Sequence, residues 1–200
     1  MILYIIRHGE TTHNKTRTIQ GHYDSQLNRA GVKQAKLIAE RLRVVNFDYI
    51  YSSDLSRAKN TTKEVAKYQN CPIVYTRKLR ERNLGMFENK PRSLYYKFIE
   101  ERGVKNNIHA RLPLGGESYY SLQRRAVNFV AQIYKKHKGQ TVLLSTHGGF
   151  KKALLIHFNN IALEKFREYN SFGNTSLSII KFHKDNRYKV ELENDIKHLL

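Results

Sequence analysis

Cysteine is almost missing from this chain of 200 residues: Cys71 stands alone, so no internal disulfide forms, and no Cys/His spacing suits a structural zinc site. Long apolar runs are missing too. None approaches the roughly 20 residues that a membrane span requires, and the N-terminus lacks the charged start, apolar middle and small-residue cleavage site of a secretory signal. A soluble, cytoplasmic protein is expected. Internal repeats, low-complexity tracts and linkers are absent, and a chain of this length buries about 70% of its unfolded surface, so a single domain over residues 1–200 is expected. Acidic residues are scarce: 17 Asp and Glu against 36 Lys and Arg leave a formal charge of +19. That balance favours anionic partners, whether phosphorylated metabolites, nucleic acid or acidic membranes, without choosing among them.

What is present reads as alternating strands and helices. ILYIIR (Ile2 to Arg7) and TVLLSTH (Thr141 to His147) are near-continuous apolar runs, the pattern of parallel strands covered on both faces, and FDYIYSSD (Phe47 to Asp54) resembles a third. LNRAGVKQAKLIAERLR carries apolar residues at Val32, Ala35, Leu37, Ile38, Ala39 and Leu42, a helical stripe opposite a basic face. LSRAKNTTKEVAKYQ reads likewise, with Asp54 or Ser53 as its N-cap. IVYT is a short strand, SYYSLQRRAVNFVAQIYKKH and GGFKKALLIHF are helices, and NTSLSIIKFH and YKVELEN form a late hairpin across Asp185–Asn186. The expected fold is an α/β class, three-layer α/β/α sandwich with a mostly parallel central sheet. The less regular stretch from Asn83 to Glu117, about 83–117, is expected as a small helical and loop lid inserted over one sheet edge.

Ligands of open α/β sheets gather at the carboxyl ends of the strands. Arg7 and His8 end one expected strand, His147 ends another, and Arg57 opens the helix after the third. Two histidines and two arginines on one sheet edge suit a phosphoryl group. Arginine matches phosphate oxygens bidentately, and a glycine-opened helix after His147 adds backbone N–H groups and a positive dipole end. Such a pocket holds a dianion without metal or other cofactor. It also suits a histidine nucleophile that arginines keep uncharged. An acid must then protonate the leaving oxygen, and Glu10, Glu81, Glu88 and Glu117 are all candidates that the sequence alone does not rank.

RHGETTHN, QGHYDSQLNRAGVKQA, YSSDLSRAKNT, LRERNLGMFE, GGES and STHGG, in that order, resemble the histidine phosphatase superfamily, the phosphoglycerate mutase-like group, across nearly the whole chain. The resemblance implies a metal-independent phosphatase acting on small phosphomonoesters through a covalent phosphohistidine on His8. Arg7, Arg57 and His147 would cage the phosphoryl oxygens, and Glu81 would protonate the leaving oxygen and then activate water. Asn14, Gln20 and Gly21 would line the substrate side, Gly148 would supply a backbone N–H, and Asn174 would stand behind them. Glu10 and Glu117 would orient histidines or arginines.

Asn89 departs from the glycine that family members often carry after GMFE; asparagine tolerates a left-handed turn, so an altered loop is expected there. Mutases of this superfamily usually carry an E-R-H-Y-G type sequence where this chain has ERNLG, which favours hydrolysis over phosphoglycerate mutase-type phosphoryl transfer. The layout is similar to fructose-2,6-bisphosphatase-like and broad-specificity branches, for which sugar phosphates or bisphosphates are natural substrates. A metal site at His8, His13 and His22 is disfavoured, since nothing fixes the three on one face. The expected partner is a small phosphorylated substrate. Membrane is not expected, nucleic acid is disfavoured for want of a recognition module, and a homodimer stays open. A catalytically silent binding protein is the contrasting reading.

Overall fold

In the computed structural model, which describes residues 1–183 and 187–200, the first apolar run forms strand β1 (Ile2–Arg7). A short helix α1 (Thr12–Lys15) and helix α2 (Arg29–Leu42) lead to β2 (Tyr49–Ser53), α3 (Ser56–Ala66) and β3 (Ile73–Thr76). Helices α4 (Arg92–Glu101) and α5 (Tyr119–Lys136) precede β4 (Thr141–Thr146) and α6 (Gly148–Phe158), and β5 (Leu177–Phe182) and β6 (Tyr188–Asp195) close the described sheet. The order is β3-β2-β4-β1-β5-β6, with β1 to β4 mutually parallel and β5 antiparallel to both neighbours. The turn expected across Asp185–Asn186 lies outside the described residues.

The two layers of helices explain the unbroken apolar strands. Leu3, Ile5, Val142 and Leu144 face α5 and α6, whereas Ile6, Leu143 and Ile50 face α2 and α3. Each of these side chains is fully buried, worth about 1.5–3 kcal/mol over exposure. A smaller cluster of Ile19, Phe87, Tyr95, Ile99 and Leu112 seats α4 and the loops on either side of it.

Two local expectations are corrected. On α2 the buried face runs through Gly31, Ala35, Ile38, Ala39 and Leu42, and Val32 is exposed. Gly31 takes the inner position because the helix start presses on the loop after β1: a Cβ there would fall 1.9 Å from the Glu10 carbonyl oxygen. On α3 the N-cap is Leu55, without a side-chain cap of its own. Asp24, thirty-two residues upstream, accepts from the Ser56 N–H and hydroxyl at 2.7 Å each, while Asp54 pairs with Arg80 at 2.6 Å.

Candidate active site

Register brings the two histidines together. Arg7 pairs with Thr146 across the parallel β1–β4 ladder, so His8 and His147 are the first residues beyond the same pair, and their ring centroids stand 5.2 Å apart. Arg57 reaches them from the first turn of α3.

His8 is 3% exposed, and its Nδ1 lies 2.7 Å from the Gly9 carbonyl oxygen. A carbonyl only accepts, so Nδ1 carries the proton and Nε2 keeps its lone pair. Burial holds this imidazole well below its ordinary pKa, reinforced by the Arg57 and Arg7 charges, so the ring is neutral. Its backbone is gripped as well: His8 N donates to Thr146 O at 3.0 Å, and His8 O accepts from Asn174 Nδ2 at 3.0 Å. Gly9 has no room for a side chain, since its Cβ would meet Gly31 O at 2.5 Å, and its N–H donates to the Thr61 hydroxyl at 3.0 Å.

Arg57 is 1% exposed and spends its donors on fixed acceptors: Nη1 on Tyr23 O at 2.8 Å, Nη2 on Gly21 O at 2.7 Å and Nε on His147 Nδ1 at 3.2 Å. Burial lowers its pKa to about 10, which leaves it cationic at neutral pH. Because Nδ1 of His147 accepts, its Nε2 carries the proton and donates to Ser53 Oγ at 2.8 Å. His147 is thus fully buried, neutral and doubly bonded, its pKa held well down by burial and then by Arg57. Arg7 donates from Nη1 to Phe172 O, and its Nε is buried with no hydrogen-bond partner among the described residues.

A cleft of about 210 Å³ opens above His8. Seven of the nine residues expected from sequence line it: Arg7, His8, Asn14, Gln20, Gly21, Arg57 and Glu81. His147 and Gly148 stand behind its wall, His147 reaching it through Arg57 and Gly148 packing on the Arg7 side chain, while the neighbouring Gly149 faces the cleft. Asn14 Oδ1 is taken by Thr11 N at 3.1 Å and Asn174 Nδ2 at 3.4 Å, which leaves its own Nδ2 donor for a ligand. Gly21, at φ +52°, abuts the Glu88 carboxylate, which accepts from His22 N at 2.8 Å and Leu84 N at 3.0 Å. Glu81 lies across the mouth of α6, accepting from Gly149 N at 2.9 Å and Phe150 N at 3.1 Å.

The other carboxylates have different work. Glu10 accepts from Asn28 Nδ2 at 2.7 Å and so steadies the cap of α2, instead of orienting a histidine or arginine. Glu117 takes Arg125 bidentately at 3.0 and 2.8 Å, and Arg125 in turn donates to Glu81 O at 3.2 Å. Asn89 adopts the expected left-handed turn at φ +59°, its Oδ1 on His13 Nε2 at 3.0 Å. Among the described residues, no three His, Cys, Asp or Glu side chains gather as a metal site.

Sequence reasoning missed Ser53 as the partner of His147, Thr61 under Gly9, and the outer wall. There Arg82 donates to Glu117 O and Tyr95 Oη and lies 3.9 Å from the Tyr119 ring centroid. Arg92, exposed at the start of α4, lines the same cleft without a side-chain partner among the described residues.

With this geometry in place, comparison with known proteins is direct: residues 3–195 match the model of the histidine phosphatase superfamily (branch 1). The chain belongs to that superfamily. It is 34% identical to a metal-independent phosphoserine phosphatase of Arabidopsis thaliana over 98% of this chain and 82% of that protein. It is also 34% identical to phosphoglycerate mutase-like protein 4 of the same plant, over 98% and 86%. Among solved structures, Bacillus stearothermophilus YhfR superposes with a TM-score of 0.91 at 31% identity, covering 100% of this chain and 99% of that one. The histidine phosphatase described here is a phosphoric monoester hydrolase. No helix among its described residues is long and apolar enough to cross a membrane.

Proposed function

We propose that this protein hydrolyses small phosphomonoesters without a metal, through a phosphohistidine on His8. The pairing of Arg7 with a neutral His8 carries the reading: both side chains line one cleft, and a guanidinium whose Nε has no partner among the described residues calls for an anionic acceptor beside a ring that keeps a lone pair on Nε2. Arg7 and Asn14 Nδ2 receive phosphoryl oxygens, and Arg57 supplies fixed positive charge beside them.

His8 Nε2 attacks phosphorus, the ester oxygen leaves with the Glu81 proton, and the phosphoryl group rests on the ring. Water then attacks phosphorus, Glu81 takes its proton, the N–P bond breaks, and phosphate departs. His147 acts through Arg57, whose Nε it fixes. The outer wall, with Arg82 spent on internal contacts and Arg92 unpaired, favours esters with a second anionic group, such as phosphorylated acids or bisphosphates.

Turnover of p-nitrophenyl phosphate tests the reading. The wild-type protein releases inorganic phosphate without added metal, and acid-labile, base-stable label accumulates on His8 during turnover. His8→Ala, with unchanged circular dichroism, loses both. Undiminished release in that variant refutes the nucleophile, and phosphate passed to an acceptor hydroxyl in place of water identifies the mutase-type reaction instead.

A further inference from the structure

The last turn of the chain is tied to the backbone of His8 by a directed series of hydrogen bonds. Arg41 of α2 ion-pairs with Asp195 at the end of β6, and the same Nη1 lies 3.2 Å from His198 Nδ1. A guanidinium only donates, so Nδ1 accepts and the His198 proton sits on Nε2. That nitrogen lies 3.0 Å from Thr175 Oγ1, which spends its own hydrogen on Asn174 O at 2.8 Å. Asn174 Nδ2 then donates to His8 O at 3.0 Å and to Asn14 Oδ1 at 3.4 Å, and Thr175 N reaches His8 O at 3.3 Å.

Thr175 is fully buried at φ +54°. A β-branched residue in the left-handed region is strained and persists only where its surroundings hold it. Here the holders are named: the Thr175 hydroxyl bridges His198 on one side and the Asn174 carbonyl on the other. Burial and the Arg41 charge push the His198 pKa down to about 4, so the ring is uncharged at neutral pH, and the Arg41 donor on Nδ1 selects the tautomer that donates to Thr175.

We propose that His198 and Thr175 are positioning residues for phosphoryl transfer: they lock the 174–175 turn, and the turn fixes the His8 carbonyl and Asn14. The proposal rests on His8 as nucleophile. It acts on the rate more than on the affinity, because neither residue lines the cleft and both act through the His8 backbone and Asn14. Misplacing an attacking group by about 1 Å costs up to about a hundredfold.

The test is quenched-flow phosphoenzyme formation with p-nitrophenyl phosphate, well below the melting temperature, beside steady-state kinetics. His198→Ala and Thr175→Val lower the phosphorylation rate constant about tenfold or more, with KM changed less than about threefold. His198→Gln, whose amide offers an acceptor to Arg41 and a donor to Thr175, recovers most of the rate. A role in stability alone lowers the melting temperature of both His198 variants without moving the rate. A folded His198→Ala within twofold of wild type overturns the proposal, as does Gln performing no better than Ala; if Thr175→Val does not fold, the His198 pair decides. His8→Ala in the same assay keeps the outcomes apart: activity there refutes the nucleophile, whereas an inert His8→Ala beside an unaffected His198→Ala refutes only the positioning chain.

Discussion

Replacing Thr61 by valine removes one hydroxyl from beneath His8, the proposed nucleophile, and little else. In the folded protein that oxygen accepts from Gly9 N at 3.0 Å and donates to Arg57 O at 2.8 Å, and Thr61 is fully buried. Valine keeps the branched shape and leaves the Gly9 N–H in the interior without an acceptor, a loss of about 1–3 kcal/mol. The loop does not relax toward another acceptor easily, because Gly9 is wedged against Gly31 with no space even for a methyl group. Taking about 2 kcal/mol and about 2–4 °C per kcal/mol for a domain of this size gives a melting temperature lowered by about 4–8 °C. Rate falls as well, since the Gly9 carbonyl fixes the His8 ring. Differential scanning calorimetry and aryl phosphate kinetics on Thr61→Val and Thr61→Ser separate hydroxyl from shape. Serine retains most of both quantities; serine losing as much as valine, or valine losing nothing, refutes the assignment of that hydroxyl.

Acid destabilises the fold through its buried rings. His8 and His147 hold folded pKa values well below 6.5, so below about pH 6.5 the unfolded chain binds protons that the native one refuses, and each ring removes up to about 1.4 kcal/mol per pH unit until its folded value is reached. Melting temperatures measured from pH 7.5 to 5 fall accordingly, and a flat profile contradicts neutral buried histidines. Arg92→Gln reduces the kcat/KM ratio of a phosphorylated carboxylic acid to p-nitrophenyl phosphate about tenfold, as expected for one charge-assisted contact of about 1.5 kcal/mol, and an unchanged ratio removes Arg92 from recognition. Glu81→Gln slows alkyl phosphates far more than p-nitrophenyl phosphate, whose leaving group needs no proton; equal slowing moves the acid elsewhere.

The layout of the site was legible where it depended on chain order and not where it depended on which surfaces meet. Two apolar strands followed by histidines sufficed to bring His8 and His147 to one edge, because parallel neighbours in register place their following residues side by side. Asn89 was legible from residue type alone, through its tolerance of a positive φ. By contrast, the helical period that put Val32 on the inner face of α2 carried no information about the Glu10 loop pressing on Gly31. The cap of α3 came from Asp24, a partner no local window contains. The partners of His147 follow the same logic: Arg57 and His147, expected on one phosphate, also hold each other, with Ser53 completing the tautomer.

That arrangement changes what the second histidine is for. A neutral ring that accepts from Arg57 and donates to Ser53 orients the guanidinium as strongly as it is itself oriented, and it adds no charge beside His8. An imidazolium at the same place, 5.2 Å from the His8 centroid, would stabilise a bound dianion but also compete for it, drawing the anion toward itself and away from the proposed nucleophile. Burial therefore does two things with one step: it keeps the His8 ring unprotonated, and it makes the neighbouring His147 ring a neutral link from β2 to α3 instead of a second cation. Positive charge is left to arginines, which stay charged even when buried.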